Sequence, residues 1–421
     1  MQSSIKLRLT VMNFLQFAVW GAYLTSMGRY LGTAGFGSEI GNFYAMQGLV
    51  SLFMPALMGI VADRWIPAQR LLGVCHMLAG MLMLGVFLYT QTDTPSYPTL
   101  FALYSLSVAF YMPTLALSNS VAYTSLDQAG LDLVKSFPPI RVFGTVGFIC
   151  TMIAVSLLGL EATSGQFAVS AIISLVLAVY AQTLPNCPTA PKGQSKSLVE
   201  ALGLRAFVLF KQRKMALFFI FSMLLGVSLQ ITNGFANPFI STFGEIPAYA
   251  DTFGVKYANI LISLSQLSET LCILLIPFAL RRFGIRRVML IAMVAWVLRF
   301  ALLGLGNPGS GVWLFLLSMI VYGVAFDFFN VSGSLFVDKE TDPSIRSSAQ
   351  GLFMIMTNGI GATLGSLGAQ AVINHFVYSE HDTTAILAGW TTSWYIFAAY
   401  AAVVAVLFAL LFRYNTATEA K

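Results

Sequence analysis

The chain has 421 residues, 57% of them hydrophobic and only 10% charged, against about a quarter charged in soluble globular domains. Lipid, not water, is the solvent this composition suits. The net charge of +6 is spread as short flanks between apolar runs, with no long basic stripe, which argues for topology signals over nucleic-acid binding.

A membrane-spanning helix needs about 20 mostly apolar residues. Twelve runs qualify: 9–31, 38–61, 70–91, 97–123, 141–160, 165–184, 215–238, 257–280, 287–306, 312–336, 347–373 and 389–412. The first is too long for a signal-peptide core and no small-residue cleavage site follows it, so it is expected to remain as a membrane helix. The one long polar stretch, "PNCPTAPKGQSKSLVEALGLRAFVLFKQRK" at 185–214, has the Pro, Lys and Ser content of a linker. It divides the runs six and six. The expected fold is an all-α membrane protein with twelve transmembrane helices in two six-helix halves, residues 1–184 and 215–421, joined by a cytoplasmic linker at 185–214. Such a plan suits halves related by an axis along the membrane normal. "GIVADRW" (59–65) and "RRFGIRR" (281–287) follow corresponding runs of the two halves, a weak echo that simple basic flanking also explains.

Lys and Arg orient the runs. With Lys6 and Arg8 inside, the same side receives Arg64, Arg70, Lys135, the Lys192–Lys214 stretch, Arg281 through Arg287, Lys339, Arg346, Arg413 and Lys421. Of the 23 Lys and Arg, Arg29 and Lys256 fall outside and Arg299 falls within a run. Both termini are therefore expected in the cytoplasm.

Polar groups inside the runs carry the functional reading. Asp327 is the one charge of run 312–336, and Glu269 lies midway along run 257–280 in "SLSQLSET". An ionised group at the bilayer midplane costs roughly 2.5–3.5 kcal/mol on insertion scales and usually faces a bundle interior or a wet cavity. Each carboxylate reads as a working group or as one bonded structurally to a neighbouring helix. Arg299 either reaches a membrane edge or neutralises a neighbour. Helical spacing collects further polar and aromatic groups into stripes: Asn13, Gln16, Trp20 and Tyr23; Arg141, Thr145 and Phe148; Gln230, Asn233 and Asn237; Gln266 one turn from Glu269; and Tyr322, Phe326 and Asn330. Interhelical bonds between such groups average only about 0.6 kcal/mol, so any one stripe can be structural glue. Together they supply donors, acceptors and ring faces suited to a polar, uncharged, partly aromatic metabolite. That leaves nucleosides, sugars and related compounds open.

Other features carry less. Glycines at "FGTVGF" (143–148) and "TNGIGATLGSLGAQ" (357–370) occupy equivalent runs of the two halves and read as static packing or as a rocking contact. Cys75, Cys150, Cys187 and Cys272, with His76, His375 and His381, have no metal-ligand spacing. No Ser/His/Asp or Cys/His grouping, phosphate-binding loop or nucleotide-hydrolysis motif is visible, so neither an enzyme nor an ATP-driven pump is expected.

Six stretches together resemble a known family: "FLQFAVWGAYL" (14–24), "MPALMGIVADRW" (54–65), "FPPIRVFGTVGF" (137–148), "FFIFSMLLG" with "LQITN" (218–233), "SMIVYGVAFDFFNVSGSLFV" (318–337) and "SSAQGLF" (347–353). The chain is similar to the nucleoside:proton symporters of the major facilitator superfamily, a group that takes in bacterial nucleoside and xanthosine permeases. The resemblance implies a nucleoside pocket between the halves. It implies substrate contacts from Arg141, Thr145, Phe148, Gln230, Asn233, Gln266, Glu269, Tyr322 and Phe326, and proton coupling through Asp327 and Glu269. The expected protein is a multi-pass carrier of the bacterial inner membrane that imports nucleosides with protons by alternating access. Its partners are nucleoside, proton and membrane lipid, with no nucleic acid. It needs no metal or organic cofactor, the proton being the coupling ion, and it works as a monomer. A passive facilitator, or a proton-linked carrier of another polar metabolite such as a sugar, stands as the alternative. One departure is that Trp65, Ile66 and Pro67 follow Asp63 and Arg64, where the superfamily signature continues with Gly and basic residues. "SNS" (118–120) and "RVFGTVGF" read closer to xanthosine-type members, which leaves base preference open.

Overall fold

The computed structural model describes residues 2–189, 204–342 and 345–414. Residues 190–203 of the expected linker, with Lys192, and Lys421 at the end of the chain lie outside the described residues.

Regular structure among the described residues is helical, as apolar surroundings require of a chain that must satisfy its own backbone groups. Before the linker the helices are α1 (Gln2–Gly21), α2 (Met27–Thr33), α3 (Ile40–Ser51), α4 (Met54–Arg64), α5 (Ala68–Tyr89), α6 (Tyr97–Gln128), α7 (Leu133–Leu157) and α8 (Gly165–Ala181). After it come a short 3-10 helix (Leu204–Lys211), then α9 (Arg213–Leu229), α10 (Ile231–Thr242), α11 (Ala258–Leu305), α12 (Val312–Glu340) and α13 (Arg346–Met354). A π-helical turn, Ile355–Gly361, leads into α14 (Ala362–Phe376), and α15 (Thr383–Leu411) ends the fold. Among the described residues nine stretches are long and apolar enough to cross a membrane, and Gly165–Ala181 is apolar but shorter.

Local chemistry sets the interruptions. The first apolar run breaks between Gly21 and Met27. The second restarts at Met54, where Pro55 sits in the first turn of α4, a position whose backbone N–H has no helical acceptor in any case. Runs 257–280 and 287–306 are two helices, together labelled α11, that meet at Gly284, whose φ 74° and ψ 164° are not helical and which glycine adopts at little cost.

Close packing divides the chain into two compact units, Met1–Phe36 with Leu49–Leu202, and Gly37–Gly48 with Gly203–Lys421. In the first unit α7 lies directly on α1. A Cβ on Gly147 would stand 2.1 Å from the Phe14 carbonyl oxygen, and one on Gly144 would stand 2.6 Å from the Phe17 ring. In the second, a Cβ on Gly365 would stand 2.0 Å from the Val227 carbonyl oxygen of α9, and one on Gly361 would stand 2.4 Å from that of Met223. Both glycine stretches therefore serve backbone-close packing within their own unit.

Residues 37–48 are fastened to α14 within the second unit. Gln370 accepts from Gly41 N at 2.5 Å and donates through Nε2 to Gly37 O at 3.0 Å, and Asn374 donates to Ser38 O at 3.1 Å. The two cations expected outside each meet an acid: Arg29 lies 3.3 Å from buried Glu161, and Lys256 lies 2.8 Å from Asp251. The hydrogen bond from Lys256, aided by its charge, holds the exposed Asp251 carboxyl below the ordinary carboxylate range.

Candidate functional site

In the first unit the candidate residues come from α7 and α1. Arg141, Thr145 and Phe148 share one face of α7. The Arg141 guanidinium carbon sits 4.0 Å over the Phe17 ring centroid, within cation–π range. Phe148 meets Trp20 edge to face, with centroids 6.4 Å apart at 89°, and Trp20 also leans on Tyr111 at 6.0 Å. The Trp20 indole N–H is enclosed without a hydrogen-bond partner among the described residues. Phe17, the seat of the guanidinium, has no sequence signal of its own, because it is one of 34 Phe in a largely apolar chain.

The rest of the α1 stripe turns inward. Asn13, Gln16 and Tyr23 are buried, so this stripe supplies mostly internal bonds and only Trp20 keeps part of its surface. Gln16 donates through Nε2 to Thr114 Oγ1 at 2.7 Å, and its Oε1 stands 2.8 Å from His76 Nε2. An amide oxygen only accepts, so His76 Nε2 carries the proton. His76 Nδ1 meets Ser174 Oγ at 3.0 Å, and the Tyr111 hydroxyl donates to Gln16 O at 2.9 Å. This network joins α1, α5, α6 and α8. Nothing in the sequence pairs His76 with Gln16, 60 residues away.

The second unit gathers the denser set. Gln266 and Glu269 lie one turn apart on α11, both half-buried. The facing stretch of α12 brings Tyr322, Phe326 and Asp327. The two helices approach closely there: a Cβ on Gly323 would stand 2.5 Å from Ser268 O, and the Ser268 hydroxyl donates to Ile320 O. Tyr322 and Phe326 stack with centroids 5.6 Å apart at 13°, and Trp296 meets Tyr322 edge-on at 5.9 Å. Asp327 is 5% exposed, and its Oδ2 has no hydrogen-bond partner among the described residues. The charges of Glu269 and Asp327 act on one another. Gln230, at the joint between α9 and α10, accepts from Asn233 Nδ2 at 2.7 Å, while Asn237 is buried and donates to Asn259 at 2.9 Å. The predicted residues thus form three groups. One is the α7 trio with Phe17 and Trp20, one is the Gln230–Asn233 pair, and the third is the α11–α12 cluster.

An unpartnered buried carboxylate beside a second acid is costly to keep charged and is suited to taking and releasing a proton. Stacked rings with an amide and a carboxylate one turn apart can hold a flat base and a hydroxylated sugar. No group of three or more His, Cys, Asp or Glu among the described residues could hold a metal ion.

Residues 3–417 match the model of a family described as nucleoside H+ symporter. The chain belongs to that family. It is 50% identical over 415 residues to the xanthosine permease of Escherichia coli (strain K12), covering 98% of this chain and 97% of the relative. It is 47% identical over the same length and coverage to the nucleoside permease NupG of that organism. A crystal structure of the nucleoside transporter NupG superimposes with a TM-score of 0.89 at 46% identity, covering 98% of this chain and 100% of that one. A crystal structure of a POT peptide transporter, 12% identical, superimposes with a TM-score of 0.71, which shows the shared fold alone. The family is one of transporters, not enzymes, and its fold is that of a multi-helix membrane carrier.

Proposed function

We propose that the chain imports nucleosides together with protons by alternating access, as a monomer in the lipid of a bacterial inner membrane. Twelve transmembrane helices form two six-helix halves, residues 1–184 and 215–421, joined by a linker at 185–214 that lies in the cytoplasm with both termini. The one-sided distribution of Lys and Arg supports this orientation.

The observation that carries the reading is the buried, unpartnered Oδ2 of Asp327 beside Glu269 and next to the stacked Tyr322–Phe326 pair. Asp327 is the proton carrier. Neutralising it removes the cost of a charge in an apolar interior, and this biases which side of the membrane the carrier faces. Glu269, less buried and one turn from Gln266, accepts from substrate hydroxyls and links substrate occupancy to Asp327 through charge. Phe326 stacks on the base, with Tyr322 stacked behind it. Gln230 and Asn233 supply amide groups, and Arg141, Thr145 and Phe148 contribute from the first half.

The test is uptake of labelled uridine into energised vesicles, competed by a panel of unlabelled nucleosides and sugars, with and without a protonophore. The reading expects nucleosides to compete, sugars not to, and the protonophore to abolish accumulation. Competition by sugars would overturn the substrate assignment, and accumulation that survives the protonophore would overturn the coupling.

A further inference from the structure

Arg299 has no role in the mechanism above, yet it is 1% exposed and in no ion pair among the described residues. A cation so placed persists only if other groups replace its water. Its Nη1 donates to Ser318 O at 2.8 Å and reaches Ser265 Oγ at 3.3 Å, while Ser318 Oγ donates back to Arg299 O at 2.9 Å. Residues 299 and 318 therefore exchange bonds in both directions and tie α11 to α12. Those acceptors are neutral and leave the positive charge unanswered. Nε has no hydrogen-bond partner among the described residues.

The remaining attraction is the ring of Tyr322, one helical turn beyond Ser318. The guanidinium carbon stands 4.5 Å from its centroid, inside the roughly 6 Å reach of a cation–π contact, which is strongest when desolvated. The same ring is stacked on Phe326 and touched edge-on by Trp296. Backbone-anchored on one side and ring-facing on the other, the guanidinium restrains Tyr322, which is 5% exposed, and through it the half-buried Phe326 stacked on it.

We infer that Arg299 is a positioning residue for substrate: it fixes the Tyr322 ring, which backs Phe326 in the orientation that stacks on the nucleoside base. The inference rests on the stacking role of the Tyr322–Phe326 pair proposed above.

The test is a double-mutant cycle on uridine affinity, measured by calorimetry on the purified full-length carrier, with Arg299→Met, Arg299→Lys, Tyr322→Ala and the Met/Ala double variant. Loss of a desolvated cation–π contact predicts roughly tenfold weaker binding in R299M, and a smaller loss in R299K, which keeps the charge. In the Y322A background R299M is expected to weaken binding by less than about twofold, because the group through which Arg299 acts is gone. A residue that merely joined two helices would weaken binding equally in both backgrounds, and that additivity overturns the inference. Unchanged affinity in R299M also overturns it, as does wild-type affinity in R299K should R299M not yield folded protein. Failure of the wild-type carrier to bind uridine would instead strike the substrate reading itself.

Discussion

Asp327→Asn keeps the shape of the side chain and removes the titrating group. Asp327 is 5% exposed with one oxygen unpartnered, so an amide fits without displacing an existing bond. The substitution also removes a charge whose burial costs roughly 2.5–3.5 kcal/mol on insertion scales, and D327N protein is expected to be at least as heat-stable as wild type. Loss of transport could then not be assigned to unfolding. For a carrier that moves one proton per nucleoside, each pH unit across the membrane is worth about 1.4 kcal/mol, or tenfold accumulation, and each 100 mV adds about 2.3 kcal/mol. In proteoliposomes given an alkaline interior, the wild type should concentrate uridine about tenfold per pH unit, while D327N should stop near equal concentrations. Counterflow at equal pH on both sides, which needs substrate exchange but no net proton movement, should persist in D327N within about threefold. Accumulation by D327N at the wild-type ratio would refute the carrier role of Asp327.

Three other outcomes follow from the packing. Phe326→Ala removes a stacking face worth about 1–3 kcal/mol, so uridine affinity measured by calorimetry should fall roughly 5-fold to 150-fold. His76→Ala breaks two interhelical bonds averaging about 0.6 kcal/mol each. It should lower the melting temperature while leaving the KM for uridine within about twofold, since the His76 network faces inward. Gly365→Ala forces a Cβ to 2.0 Å from the Val227 carbonyl oxygen, so thermal unfolding should show a loss of about 1–3 kcal/mol, whereas Gly368→Ala, which meets nothing within 4 Å, should be silent.

Apolar run length marked where helix would lie, because lipid leaves a chain few other ways to satisfy its backbone, but not the breaks at residues 22–26 and 52–53. It did separate runs 257–280 and 287–306 at "RRFGIRR", where Gly284 leaves the helical conformation. The pairing of Gln266 and Glu269 was legible from one-turn spacing alone. The inward turn of Asn13 and Gln16 was not, since their fate was set by His76 and Thr114, partners 60 and 98 residues from Gln16. Arg299 was visible as an anomaly, but its seat over Tyr322 depends on a contact between two helices that no single-helix periodicity records. Likewise the bonds from Gln370 and Asn374 to residues 37–41 join stretches that the linker-based division would have placed apart.

The central claim is that nucleoside and proton cross together. Wild-type protein reconstituted into vesicles holding a pH-sensitive dye tests it most directly. Uridine added outside, with the membrane potential clamped and no initial pH difference, should acidify the lumen in step with its own uptake. Uridine entry with no change in lumenal pH would contradict the account.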